Sequence, residues 1–128
     1  MTNFRRISIK FGDAHYDGFT NGKEYFYTQT SLAWLVLEDF DSVTRFLDSK
    51  WLKDINDKYE VVPNCPEISV SQQGSNAPKK VQLIDCDTAA MYIQYHVIQG
   101  NELAMLVNRA LLSEALQIRG VTASHLDR

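Results

Sequence analysis

Residues 28–53, TQTSLAWLVLEDFDSVTRFLDSKWLK, predict two short helices joined by a tight acidic turn, and the rest of the chain is organised around them. Thr28 or Thr30 can cap the first helix, because a threonine hydroxyl accepts a hydrogen bond from an unpaired backbone amide. The second helix is expected to begin at Asp41 or Ser42. Apolar residues recur at helical spacing in both, so each helix has one face to bury.

The second of these helices is the candidate for contacting a partner. It is expected to run through Trp51 and to end near Asn56. In a helix-turn-helix protein, the outer face of this helix enters the major groove of DNA. A plain helical hairpin in a protein core has the same pattern, so this stretch alone does not separate the two interpretations. The side chains expected to face outward are Ser42, Thr44, Arg45, Asp48 and Ser49.

Upstream of the helices, the sequence predicts three antiparallel strands. Apolar and polar residues alternate from Phe4 to Phe11, which is typical of a half-buried strand. Residues 15–19 can form a second strand that runs back along the first. Asn21-Gly22 is a strong hairpin signal, because a type I′ turn needs two residues with positive φ. A third strand over residues 23–28 then completes a meander that leads directly into the first helix.

Downstream of the helices, two short strands are predicted over residues 68–70 and 81–84, separated by the polar stretch SQQGSNAPKK. Such a loop is most often the exposed tip of a hairpin. It also fits the wing of a DNA-binding protein, in which Lys79 and Lys80 reach a phosphate or a minor groove.

Two apolar helices are predicted at the C-terminal end. Asp85 or Asp87 caps the first, which runs to Gln99 before Gly100. The second begins after Asn101, and it is expected to end at Gly120. These bounds make the predicted fold class α+β, with the meander, the helix-turn-helix and the short β-hairpin preceding the two helices.

Both C-terminal helices are apolar on more than one face, which is typical of a helix that is central in a core or shared with another subunit. A chain of 128 residues has little other material to cover them. We therefore expect a homodimer or larger homo-oligomer, with Met105, Leu112 and Leu116 at the interface.

Length and composition predict a single domain over residues 1–128, without a signal peptide or a membrane-spanning run, and therefore a cytoplasmic protein. Cys65 and Cys86 have no CxxC partner, so no metal site and no cofactor are expected. The sequence also lacks a phosphate-binding loop, a nucleophile elbow and a zinc-protease motif. We expect no enzymatic activity.

The net charge of −3 is unfavourable for nucleic-acid binding, since neutralisation of phosphates supplies most of the non-specific affinity. What decides the matter is whether basic residues collect on one face. Three aspartates, Asp39, Asp41 and Asp48, lie close to the expected reading surface. The basic residues that a fold could bring together with Arg45 are Arg5, Arg6, Lys10, Lys50, Lys53, Lys79 and Lys80.

The order of elements resembles the KilA-N and BRO-N group of phage and viral regulators, which includes antirepressors. The resemblance is carried by the Phe11-Gly12 and Asn21-Gly22 hairpin, by VQLID at 81–85, and by EALQIRG at 114–120. It implies sequence-specific binding of double-stranded DNA in transcriptional regulation. It also implies DNA-facing roles for Thr44, Arg45, Asp48 and Ser49.

This sequence departs from the family pattern in the turn between the first two helices. Leu37 stands where the family usually has glycine, and Glu38 stands where it usually has an apolar residue. The turn is therefore expected to be built differently here.

A different class of function also fits the sequence. An acidic protein-interaction module, similar to an antirepressor or a defence inhibitor, would bind a regulator or a nuclease without contacting DNA. The negative net charge and the cluster formed by Asp39, Asp41 and Asp48 favour this alternative.

Overall fold

A computed structural model describes residues 3–71, 74 and 77–126 of the chain. Within them, five antiparallel strands form one sheet in the order β1-β2-β3-β5-β4, and five helices accompany it, which confirms the α+β class. The strands are β1 (Arg5–Phe11), β2 (Ala14–Thr20), β3 (Tyr25–Thr28), β4 (Glu67–Val70) and β5 (Lys79–Asp85). The helices are α1 (Gln29–Leu35), α2 (Phe40–Leu47), α3 (Lys50–Lys58), α4 (Cys86–Ile98) and α5 (Glu102–Leu126).

The predicted meander is present, but its second turn differs from the expected two-residue type. Strand β3 begins at Tyr25, so residues 21–24 connect it to β2. The side chain of Asn21 accepts hydrogen bonds from the backbone amides of Lys23 at 2.9 Å and Glu24 at 2.8 Å. Within this turn only Gly22 has a positive φ, of 92°. The asparagine therefore builds the turn through its side-chain oxygen, as Asx turns do.

Strand β5 joins the meander to the β4–β5 hairpin, so both form one sheet. Short β3 pairs with residues 18–20 of β2 on one side and with residues 83–85 of β5 on the other. Beyond Thr28 the chain turns into α1, and Ser31 of its first turn donates a hydrogen bond to the backbone oxygen of Asp17 at 2.8 Å. The remaining parts of β2 and β5 are therefore separated by the start of a helix.

The prediction of one continuous second helix is wrong, because the chain forms two helices there. Helix α2 ends at Leu47, and α3 starts at Lys50. Between them, Ser49 accepts a hydrogen bond from the amide of Leu52 at 3.2 Å and donates one to the oxygen of Phe46 at 2.7 Å. A serine that satisfies both helix ends in this way favours a break over a continuous helix.

The turn between α1 and α2 is built on a left-handed leucine. Leu37 has a φ of 54°, the conformation for which glycine is usually chosen. The amide of Glu38 donates to the oxygen of Ala33 at 2.9 Å, which closes the end of α1. Asp39 then caps α2 by accepting from the amide of Ser42 at 2.8 Å. Leu37 therefore replaces the usual glycine at this position but adopts the left-handed conformation that glycine favours.

The C-terminal helices follow the prediction except at Gly120. Asp85 caps α4, and Gly100, with a φ of 88°, follows its end. Helix α5 was expected to stop at Gly120 but continues to Leu126. A glycine inside a helix costs only about 1 kcal/mol relative to alanine, so it does not end a helix unless the backbone turns left-handed there.

The core lies between the helices and one face of the sheet. Its larger cluster contains buried residues from all five helices together with Ile84 of β5. A smaller cluster, formed by Phe19, Phe26 and Leu83, lies on the opposite face of the sheet. Helix α5 contributes Ala104 and Val107 to the core, whereas residues 112–125 are all exposed. The second half of α5 therefore extends beyond the body of the domain.

We predict that Leu37→Gly raises the free energy of unfolding by roughly 0.5–1 kcal/mol, because glycine relieves a left-handed backbone that costs a leucine more than it costs glycine. Little burial is lost, since Leu37 is 80% exposed. Leu37→Ala is the matched control, because alanine keeps the backbone strain. Urea unfolding that shows equal stability for both variants would contradict this explanation.

Candidate nucleic-acid interface

A groove of about 430 Å³ lies between β2 and β5, at the place where the first turn of α1 separates the two strands. Residues distant in sequence meet there because β1 and β2 form one wall and β5 forms the other. The basic side chains that line the groove are those of Arg6, His15, Lys79 and Lys80. The sequence alone could place these residues on strands but could not show that the strands face one groove.

The cations of the groove are weakly neutralised by the protein itself. The guanidinium carbon of Arg6 lies 5.6 Å from the centre of the Phe19 ring, which holds the group by a cation–π contact. Lys80 Nζ is 3.8 Å from Glu67 Oε1 in a largely exposed pair, and such pairs contribute little. In the described part of the chain, neither Arg6 nor Lys79 has an ion-pair partner. Asp17 is the acidic residue lining the groove.

Two large aromatic side chains border the same groove. Trp34 is 62% exposed and Phe40 is 51% exposed, and both line it. Helix α1 buries Leu32 and Ala33 on its other face, so Trp34 is on the solvent side of the helix. These aromatic rings were not among the residues that the sequence singled out, because apolar spacing does not show which aromatic side chains the tertiary packing leaves exposed.

The exposed face of α2 is acidic. Thr44, Arg45 and Asp48 are exposed as predicted, together with Asp41. Arg45, the one cation of this face, has its Nη2 3.7 Å from Oδ1 of Asp39, the residue that caps the helix, in an exposed pair that contributes little. Thr44 accepts a hydrogen bond from Gln29 Nε2 at 3.1 Å. The surface expected to read DNA thus carries more negative than positive charge.

Two predicted contact residues are used inside the protein. Ser42 was expected to face outward but is buried, with its Oγ 2.8 Å from Tyr92 Oη. Ser42 lies on the side of α2 that packs against α4, so its side chain points into the core. Ser49 is half-buried and caps α3, so its hydroxyl is already hydrogen-bonded to the backbone.

The structure brings together only part of the predicted set. Lys80 lines the groove and also a shallow depression that it shares with Thr44 and Asp48. Arg5 is exposed, but the strand alternation places it on the other face of the sheet from Arg6. Lys53 lies on α3 beside a separate hollow lined by Leu52 and Val62. Lys79 and Lys80 alternate in the same way along β5, but both line the groove together with Arg6, and we call these three residues the basic cluster.

The residues predicted at an oligomer interface are all on the solvent side of α5. Met105 is 50% exposed, Leu112 is 56% exposed and Leu116 is 63% exposed. Ile118 and Val121 are exposed further along the same helix. At helical spacing, Met105, Leu112 and Leu116 share one face of α5, whereas Ile118 and Val121 lie on the other side. The three residues of the first face form an exposed apolar stripe.

A buried chain of polar groups connects the α1–α2 turn, α2 and α4. His96 Nδ1 lies 3.6 Å from Glu38 Oε1, and its Nε2 lies 3.3 Å from Ser42 Oγ. The order carboxylate, imidazole, hydroxyl is that of a hydrolase triad. Here it is closed to a substrate, because Ser42 is buried beneath Tyr92, which has no exposed surface. Sequence reasoning placed His96 in the core or at an interface but missed its two partners, which lie more than fifty residues away.

Burial sets the protonation of this chain. Burial lowers the pKa of His96, and the neighbouring Glu38 opposes that shift. Burial also raises the pKa of Tyr92 to about 12. At neutral pH the chain therefore holds a neutral imidazole and a neutral phenol.

Among the described residues, no three His, Cys, Asp or Glu side chains are placed to hold a metal ion together. None of the described helices combines the length and apolar character needed to span a lipid bilayer. Comparisons with family models, with curated proteins and with solved structures found no match to this chain. The function is therefore argued from the groove and the surfaces around it.

We predict that the stability of the protein falls on acidification below pH 6.5, the ordinary pKa of histidine, because the unfolded chain then binds a proton that folded His96 resists. The contribution is present above that pH and is lost as the pH falls through the lowered pKa of the folded state. Urea unfolding between about pH 5.5 and 7.5 measures it. His96→Gln should reduce this slope, and an unchanged slope in the variant would show that other groups cause it.

Proposed function

We propose that this chain is a DNA-binding protein that acts in transcriptional regulation and recognises double-stranded DNA in a sequence-specific way. The observation that carries the proposal is the convergence of Arg6, Lys79 and Lys80 on one groove from two distant segments of the sheet. Because their charges are weakly neutralised within the protein, they are available to phosphates. The net charge of −3 then reflects acidic residues located elsewhere.

The β4–β5 hairpin supports the same function. Lys79 and Lys80 stand at the start of β5, directly after the connecting loop. Residues 72, 73, 75 and 76 of that loop lie outside the described residues, and the sequence of the loop, SQQGSNAP, contains no acidic residue. A hairpin with lysines at its base and a polar tip is suited to follow a DNA backbone or a minor groove.

Helix α2 has a secondary part in this arrangement. Thr44 of α2 lines the same shallow depression as Lys80. In this proposal α2 therefore contacts the same DNA surface as the hairpin. Arg45 must leave Asp39 to contact a guanine or a phosphate, whereas Asp48 can accept a hydrogen bond from a cytosine amino group. In this proposal, phosphate contacts by the groove position the protein and α2 reads bases.

We also propose a homodimer that is held by the protruding half of α5. A twofold axis brings the same apolar patch of each subunit together, so one exposed helix is sufficient for an interface. Leu112 and Leu116 lie on this half, and Met105 lies two turns earlier on the same face of α5. Two such subunits would address two half-sites of an operator.

The acidic face of α2 favours a second candidate function. Asp39, Asp41 and Asp48 surround one paired arginine there, which fits a basic protein surface better than a phosphate backbone. In this alternative the chain is an interaction module that binds a regulator or a nuclease. Failure to bind any DNA at low salt, with binding to a basic protein surface, would favour it.

The DNA-binding proposal predicts that replacing Arg6, Lys79 and Lys80 together by glutamine weakens binding to mixed genomic duplex fragments. The slope of log affinity against log salt should fall by about three, one for each lost phosphate contact. Gel-shift titrations at several salt concentrations measure both quantities. The matched control replaces three exposed lysines outside the groove, Lys23, Lys50 and Lys58, by glutamine.

If the control triple variant loses as much affinity and slope as the groove variant, the groove is not the binding surface. If the unchanged protein shifts no duplex at low salt, the proposed binding of double-stranded DNA is excluded.

The dimer proposal predicts that Leu112→Asp combined with Leu116→Asp converts the protein to a monomer, because paired helices would bury unpaired carboxylates. Analytical ultracentrifugation at micromolar concentration measures the mass. Val62→Asp, at a position that is 90% exposed on a loop, is the control and should leave the dimer intact. A monomeric unchanged protein would overturn the proposal.

A further inference from the structure

We infer that the groove between β2 and β5 holds an unpaired nucleobase stacked on Trp34, with the flanking phosphates on Arg6, Lys79 and Lys80. The inference rests on the proposed DNA-binding function and names the form of DNA that is bound most tightly. That form is DNA with unpaired nucleotides, either a single strand or a locally melted duplex.

Trp34 provides the stacking surface. It stands on the solvent side of α1 and is 62% exposed, whereas its neighbours Ala33 and Leu35 are buried. No ring contact involves Trp34 within the described residues, unlike Trp51, which packs against Phe46 and Tyr95. An exposed indole with no other ring packed on it can offer its flat face to a planar ligand.

The surroundings of Trp34 match a nucleotide better than a plain apolar ligand. The groove of about 430 Å³ falls within the range of small-ligand pockets. Phe40, which is 51% exposed, supplies a second aromatic ring, and the basic cluster lines the same space. The combination of a basic groove with exposed aromatic rings is typical of proteins that bind single-stranded nucleic acid.

The polar lining can meet the edges of a base. His15, Asp17 and Thr30 line the groove and offer both donors and acceptors. Asp17 would repel a phosphate, but its carboxylate accepts well from a base amino group. An acidic peptide would use the cations but neither the flat rings nor Asp17, so the observations favour a nucleotide.

A fully paired duplex cannot use Trp34 in this way, because the flat faces of its bases are covered by stacking. Unpaired bases in a single strand or a bubble are free to turn outward. The groove should therefore distinguish DNA forms whose sequence and length are the same.

The experiment measures fluorescence anisotropy at low salt with three labelled probes of about 16 nucleotides per strand. The probes are a single strand, its perfect duplex, and the same duplex with a central unpaired bubble. We expect the single strand and the bubble to bind about tenfold more tightly than the duplex, which corresponds to one stacked base. An otherwise identical single strand with abasic sites should lose this advantage.

Trp34→Ala should weaken binding of the single strand and the bubble about tenfold and leave duplex binding unchanged, while Trp34→Phe restores part of the loss. Tyr59→Ala is the matched control, because Tyr59 is 65% exposed but lies outside the groove. The abasic probe tests the same step with the unchanged protein, so the result does not depend on how the variants fold.

Equal binding of all three probes, with no effect of the abasic sites, would overturn base stacking while leaving the proposed DNA binding intact. A preference for polyglutamate over the single strand would assign the groove to an acidic peptide and overturn the inference. Absence of binding to every DNA probe would overturn both this inference and the proposed function.

Discussion

The hydrogen bond on which the arrangement of this protein depends is made by Thr28. Its hydroxyl accepts from the amide of Ser31 at 3.1 Å, so the residue that ends β3 also starts α1. Because β3 stops there after four residues, β2 and β5 continue without a strand between them. The groove, its basic residues and the exposed Trp34 all follow from this early change from strand to helix.

The charge distribution divides the surface into two parts. The groove carries basic side chains that the protein neutralises only weakly, whereas the exposed face of α2 concentrates aspartates around Arg45. The buried chain from Glu38 through His96 to Ser42 fixes α2 against α4, and thereby fixes which of its residues are exposed. Helix α2 was predicted to contact DNA through Ser42, but the Ser42 side chain is hydrogen-bonded inside the core.

Much of the local structure could be predicted from the sequence, because it depends on neighbouring residues. The strand alternation of β1, the cap of α4 by Asp85 and the end of α4 before Gly100 are of this kind. The break at Ser49 was not predicted, although Lys50 interrupts the apolar stripe there. The two hydrogen bonds of the Ser49 hydroxyl show where one helix ends and the next begins. The continuation of α5 through Gly120 was missed because glycine lowers helix stability without forbidding it.

For the candidate site, only the types of residue could be predicted from the sequence, and not their arrangement. The sequence by itself determined which residues are basic and which segments form most of the strands and helices. It predicted uncovered apolar surface on both C-terminal helices, whereas in the structure α4 is mostly covered and the exposed apolar residues are concentrated on α5. Only the tertiary structure decided that Arg6, Lys79 and Lys80 line one groove, that Ser42 is buried and that Trp34 is exposed. The reason is physical: local patterns fix the periodicity of a segment, whereas burial and convergence depend on strands and helices that pair across most of the chain length.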